Sequence, residues 1–88
     1  MRVYEVILEW SDYSSVDIET KITATKEKAV EIVNDYVLND QSINDLYETC
    51  KESEWEDDYE YDKENGYFHA NDGNNYASVY ILEKDVIE

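Results

Sequence analysis

Every even position from Glu54 to Glu64 carries a carboxylate: Glu54, Glu56, Asp58, Glu60, Asp62 and Glu64. Alternate side chains of an extended chain share a face, so the six acids would form one row spaced about 6.8 Å apart, twice the strand rise. The odd positions put Trp55, Tyr59 and Tyr61 on the opposite face, together with Asp57 and Lys63. That face has three aromatics to pack on a core. Glu52 and Asp57 add to the charge, so residues 52–64 hold eight acids and one lysine. An evenly spaced row of negative charge has the layout of a nucleic-acid backbone. Its natural counterpart is a groove lined with arginine and lysine, because the guanidinium fork bonds carboxylate and phosphate alike.

Other chemistry is poorly supplied. Nucleophilic catalysis would need a cysteine or serine beside a histidine that a third group orients. The chain has one histidine, His69, and one cysteine, Cys50. Zinc asks for three or four Cys or His ligands. Paired-acid hydrolysis and magnesium chemistry need a concave site that gathers acids, whereas alternate acids on an exposed strand diverge into solvent. The run Asn71-Asp72-Gly73-Asn74-Asn75 has its glycine too early for a calcium loop and lacks the closing glutamate. Two glycines in the whole chain cannot build a phosphate cradle. We therefore expect no catalytic residues, no metal and no cofactor.

The 88 residues include 7 basic and 23 acidic side chains, a formal charge of −16. Such a field repels nucleic acid and anionic membranes and speeds encounter with basic surfaces. The seven basic residues are scattered and form no patch, so direct nucleic-acid binding is disfavoured. High charge can also signal disorder. Nine tyrosines, two tryptophans, the absence of proline and periodic apolar residues favour a folded chain instead. Length allows one domain, residues 1–88. A single cysteine permits no internal disulfide and fits a reducing cytoplasm. The N-terminus does not read as a signal peptide, and no segment approaches membrane-spanning length.

The elements that would carry the row follow from periodicity. Residues 3–10 alternate as a strand, with Tyr4, Val6, Leu8 and Trp10 on one face and Val3 and Ile7 interleaved with acids on the other. Val16 to Ala24 alternate as a second strand, antiparallel to the first; Val16, Ile18, Thr20, Ile22 and Ala24 are expected to face the core. Thr25 can cap a helix with the stripe Ala29, Val30, Ile32, Val33, Tyr36 and Val37, ending near residues 38–40. Ser42, with Asp45 three residues on, starts a second helix whose face is Ile43, Leu46, Tyr47 and Cys50, which makes Cys50 a packed thiol. Extending that helix would stack Glu48, Glu52, Glu56 and Glu60 in a repulsive column costing a few tenths of a kcal/mol, roughly, per pair. A strand is expected there instead. Asn65-Gly66 suits a two-residue type I′ hairpin folding residues 55–64 onto residues 67–70. Tyr76 to Leu82 form the last strand, apolar on both faces and a central neighbour of the first. The expected fold is α+β, an antiparallel sheet of about five strands in chain order β-β-α-α-β-β-β with two helices on one face.

The layout Val3-Tyr4-Glu5-Val6-Ile7-Leu8-Glu9-Trp10, then Thr25-Lys26-Glu27-Lys28-Ala29, then Tyr76-Ala77-Ser78-Val79-Tyr80-Ile81-Leu82-Glu83-Lys84 resembles small uncharacterised proteins of phages and mobile elements. In size and acidity the chain is also similar, by class, to DNA-mimicking inhibitors of bacterial defence, including anti-CRISPR proteins. That similarity implies a non-enzymatic inhibitor filling the basic groove of a nuclease in the bacterial cytoplasm. Its contact residues would be Glu52, Glu54, Glu56, Asp57, Asp58, Glu60, Asp62 and Glu64, with Tyr59 and Tyr61 as packing anchors. The alternative is a small acidic adaptor or regulatory module that binds a basic protein through an apolar patch, without competing with nucleic acid.

Overall fold

In a computed structural model, residues 2–12, 15–52 and 58–86 are described. The chain is α+β, in the order β1 (Arg2–Ser11), β2 (Val16–Thr23), α1 (Lys26–Asn39), α2 (Gln41–Glu52), β3 (Asp58–Asp62), β4 (Tyr67–Asn71) and β5 (Tyr76–Asp85). The strands form one antiparallel sheet in the spatial order β2-β1-β5-β4-β3. β1 and β5, the two longest strands, pair over their whole length from Arg2↔Asp85 to Ser11↔Tyr76. Their adjacency is the arrangement that their two-sided apolar character predicts.

Both helices pack on the face that carries Tyr4, Val6, Leu8 and Trp10 of β1. Thr25 caps α1 by accepting from the Lys28 backbone N–H at 3.2 Å. From there Ala29, Val33 and Val37 are fully buried, one apolar residue per helical turn on the sheet side. The second helix is capped by Asp40 and not by Ser42. The Asp40 carboxylate accepts from Ile43 N–H at 3.2 Å, and its carbonyl accepts from Asn44 N–H at 2.9 Å. Asp40 also ends α1, its own N–H reaching the Tyr36 carbonyl at 3.1 Å. One residue thus closes one helix and opens the next, and α2 points Ile43, Leu46 and Cys50 into the core. Cys50 lies in the packed position that its helical spacing predicts.

The β3–β4 connection departs from the two-residue hairpin. Asp62 pairs with Tyr67, which leaves a four-residue loop from Lys63 to Gly66. Only Gly66 has a positive φ there, +74°, so the I′ geometry, which needs two such residues, is not formed. Its N–H instead reaches back to the Asp62 carbonyl at 2.9 Å. The loop leans on α1, where Asn34 donates to the Lys63 carbonyl at 3.2 Å and accepts from the Tyr61 hydroxyl at 2.6 Å.

Gly66 is pinned twice, by its dihedral and by its neighbours. A Cβ at this position would lie 2.7 Å from Ile81 Cδ1 and 3.2 Å from the Val30 backbone Cα. Gly73, at φ +92°, has open space around it. Gly66→Ala is expected to cost about 3 kcal/mol or more, combining left-handed strain with overpacking, while Gly73→Ala should cost about 1–2 kcal/mol from strain alone. Urea unfolding of both variants checks the difference, and equal losses would contradict the close approach.

Candidate functional site

Strand pairing decides which side chains share a face, and it corrects the orientation expected for β2. Tyr4↔Thr23, Val6↔Lys21, Leu8↔Glu19 and Trp10↔Asp17 are the registered pairs. Partners opposite each other point the same way, so the polar set of β2 lies on the helix side. Val16, Ile18, Thr20 and Ile22 lie on the face that neither helix covers, and Ala24, just past the strand, is exposed. The physical reason is position. β2 ends the sheet, and its helix-side residues Asp17, Glu19 and Lys21 remain solvated. Lys21 Nζ sits 4.9 Å from the centre of the Tyr36 ring, and the Tyr36 hydroxyl donates to Glu19 at 3.4 Å. Polar residues therefore suit that edge, and the apolar set is turned to solvent.

The result is an uncovered sheet face with apolar residues towards β2 and polar ones towards β3. Val16, Ile18 and Ile22 are 68%, 63% and 65% exposed. Registers place Ile22, Glu5 and Leu82 in one row, and Thr20, Ile7 and Tyr80 in the next. A further row runs across all five strands as Ile18, Glu9, Ser78, His69 and Glu60. Leu82 and Tyr76 are 42% and 37% exposed, whereas Ile7 and Ser78 are buried. The carboxylates on β1 are engaged: Lys84 Nζ bonds both oxygens of Glu5 at 3.2 Å, and the Tyr80 hydroxyl donates to Glu9 at 3.0 Å. That bond to a carboxylate holds the Tyr80 hydroxyl above the usual phenol value.

The acidic row is distributed differently from the six-residue strand face expected of it. Glu52 is the last residue of α2. Glu54, Glu56 and Asp57, with Trp55, lie outside the described residues. Asp58, Glu60 and Asp62 occupy alternate positions of β3, opposite Asn71, His69 and Tyr67, and Glu64 belongs to the loop. Among the described residues, three of the alternate acids are thus on a strand. Glu60 is exposed. Asp62 is committed to the loop, accepting from the N–H groups of Glu64 and Asn65 at 3.1 Å each and from the Asn65 side chain at 2.7 Å. Those bonds, led by the Asn65 side chain, hold its carboxyl below the ordinary value of 3.8.

Of the two expected tyrosine anchors, Tyr61 is half-buried and packs within the fold. It meets Tyr47 and Phe68 edge to face at centroid distances of 5.5 and 6.0 Å, contacts worth about 0.5–1.5 kcal/mol each. Burial raises its hydroxyl pKa. Tyr59 stands at the rim of the same cluster, 6.1 Å from Tyr47, and is 44% exposed.

Among the described residues no group of three or more His, Cys, Asp or Glu side chains could hold a metal ion, and no helix is long and apolar enough to cross a membrane. A hollow of about 440 Å³ at the β1–β2 side of the helix junction is lined by Trp10, Asp17, Glu19 and Asp40 among others, and Asp40 is already used as a cap. Comparison with known proteins finds no matching family model, no matching curated protein and no matching solved structure.

Asp62 offers a pH test of its place in the loop. A carboxyl held low in the folded state contributes stability above its ordinary value of 3.8, and loses it as pH falls through the lowered value. Asp62→Ala should be less stable than the parent at neutral pH, and the gap should close as pH drops below that value. Urea midpoints of both proteins across this range check it; a gap independent of pH would contradict it.

Proposed function

We propose that this chain is a non-enzymatic binding module, an acidic adaptor or regulatory subunit, whose uncovered sheet face docks a basic protein partner. One observation carries the reading: Val16, Ile18 and Ile22 stand exposed on the edge strand, on the same face as Ile7, which lies diagonal to Ile18 and Ile22, and as Tyr80 and Leu82 one strand further in. Exposed apolar surface has a drive to be covered of about 25 cal/mol per Å², and contiguous patches of this kind mark interaction sites. Glu5 and Glu9 are set among these residues, and the net charge of −16 draws a basic surface towards them. The partner this chemistry fits offers aliphatic or aromatic side chains within a field of lysine and arginine. In this reading the module works in the cytoplasm and needs no cofactor, nucleic acid or membrane.

A second reading is nucleic-acid mimicry towards a defence nuclease, and the alternate acids of β3 favour it. Asp58, Glu60 and Asp62 lie on the end strand opposite β2, with Glu64 just beyond. A groove built for phosphate would be contacted by this end of the molecule and not by the apolar end.

Capture of partners from a bacterial lysate on the tagged chain separates the two. The adaptor reading expects a basic protein that excess duplex DNA does not displace, and whose capture falls at least tenfold, roughly, in a Leu82→Ser, Tyr76→Ser double variant. Glu60→Gln with Glu64→Gln should reduce it little. Release by DNA, together with loss in the glutamine variant and retention in the serine variant, would replace the adaptor with the mimic.

A further inference from the structure

The two ends of the sheet are unlike. Among the described residues β3 is five residues long and carries three acids of one sign, a charged edge of the kind that resists further strand pairing. β2 is eight residues long, contains no proline, and reads Val16-Asp17-Ile18-Glu19-Thr20-Lys21-Ile22-Thr23, with seven of the eight exposed. Its outward backbone groups form a template for another strand. The side chains determine which strand fits. If β2 runs antiparallel to a second β2 with Thr20 opposite Thr20, then Glu19 faces Lys21 and Lys21 faces Glu19, on the helix side. Ile18 faces Ile22 twice on the uncovered side, Asp17 faces Thr23, and Val16 faces Ala24. Opposite charges and paired aliphatics across strands are the stabilising combinations.

Neighbouring registers are poorer. Centring on Glu19 pairs Asp17 with Lys21 twice but opposes Glu19 to itself and sets Ile18 against Thr20, centring on Lys21 opposes Lys21 to itself with no opposite-charge pair, and centring on Ile18 twice opposes Asp17 to Glu19. Centring on Ile22 leaves only residues 20–24 overlapping and no pair of opposite charges. A slip by an odd number of residues turns the second copy's helices to the other face and sets charged residues against aliphatic ones. The two charges are also held in place for the contact, Glu19 by the Tyr36 hydroxyl and Lys21 over the Tyr36 ring.

We propose that the chain pairs with a second copy of itself through antiparallel β2 strands centred on Thr20, joining two five-stranded sheets into one. The two uncovered faces then become continuous, with Ile18 and Ile22 of both copies side by side at the junction. This contact does not depend on the partner reading above. Its salt response is opposite to that of binding a basic protein. Each chain carries −16, a repulsion screened beyond about 8 Å at physiological ionic strength, so added salt tightens the dimer and loosens a basic partner.

Sedimentation velocity on the full chain tests it, with circular dichroism to verify that each variant is folded. The unaltered protein should dimerise, more tightly at physiological than at low salt. Glu19→Lys alone or Lys21→Glu alone opposes like charges twice and should raise the dimer dissociation constant about tenfold or more. The double variant, and an equimolar mixture of the two single variants, restore opposite charges and should restore the dimer. Amide exchange of the unaltered protein gives a second readout: protection of alternate β2 amides should rise with protein concentration. A monomer under all conditions, single variants that associate like the parent, a mixture that fails to recover, or β2 protection independent of concentration would each overturn the proposal.

Discussion

Two helices can cover one face of this sheet and no more, and most of the molecule follows from that limit. α1 and α2 have 14 and 12 residues, about 21 and 18 Å at 1.5 Å per residue. Five strands about 4.8 Å apart span about 19 Å between the outer two, and the helix-side residues Asp17, Glu19 and Lys21 of β2 are left exposed at one end. The covered face receives Val6, Val79, Ala77, Phe68 and Ala70, all buried against Ala29, Val33, Val37, Ile43 and Leu46. The other face is left to the strands' own side chains, although β1 and β5 place Ile7, Tyr80 and Leu82 there. Tyr80 and Glu9, and Lys84 and Glu5, bond across β1 and β5 and keep that face ordered without a covering layer.

The element order and the central pairing of β1 with β5 are legible in the sequence because alternation and helical spacing are local signals that the core only has to agree with. The apolar stripe of α1 and the packed place of Cys50 come from the same signal. The orientation of β2 is not legible in this way. Alternation in Val16–Thr23 distinguishes two faces but does not say which one meets the helices, and the assumption that aliphatics turn inward fails at an edge strand that the helices barely reach. A hint lies elsewhere: β1 and β5 each have a second apolar face, and two helices cannot serve both.

The acidic stretch is half legible for a different reason. Its period-two pattern places Tyr59 and Tyr61 on the side of Tyr47 and Phe68, yet the pattern runs past the strand into a loop whose conformation depends on distant groups. Asn34 on α1 binds Tyr61 and Lys63, and Gly66 fits against Val30 and Ile81. Asp62 thereby serves the turn as a hydrogen-bond acceptor while keeping its place in the alternating acids of β3. A carboxylate read from sequence as surface charge can also be a structural hydrogen-bond acceptor, and only the fold shows the second role.

Charge and apolar surface have distinct tasks in this account. In the proposed binding mode the field of −16 would bring a basic partner near, and the uncovered face would supply the area whose burial holds it. The most direct measurement is methyl-resolved NMR of the protein, with labelled isoleucine, leucine and valine, during titration with a captured partner. The Ile18, Ile22 and Leu82 methyls should shift and gain contacts from the partner while those of Val33 and Val37 in the helix-side core should not. Perturbation confined to the backbone amides of β3 and its loop, with the methyls of the uncovered face unmoved, would contradict it.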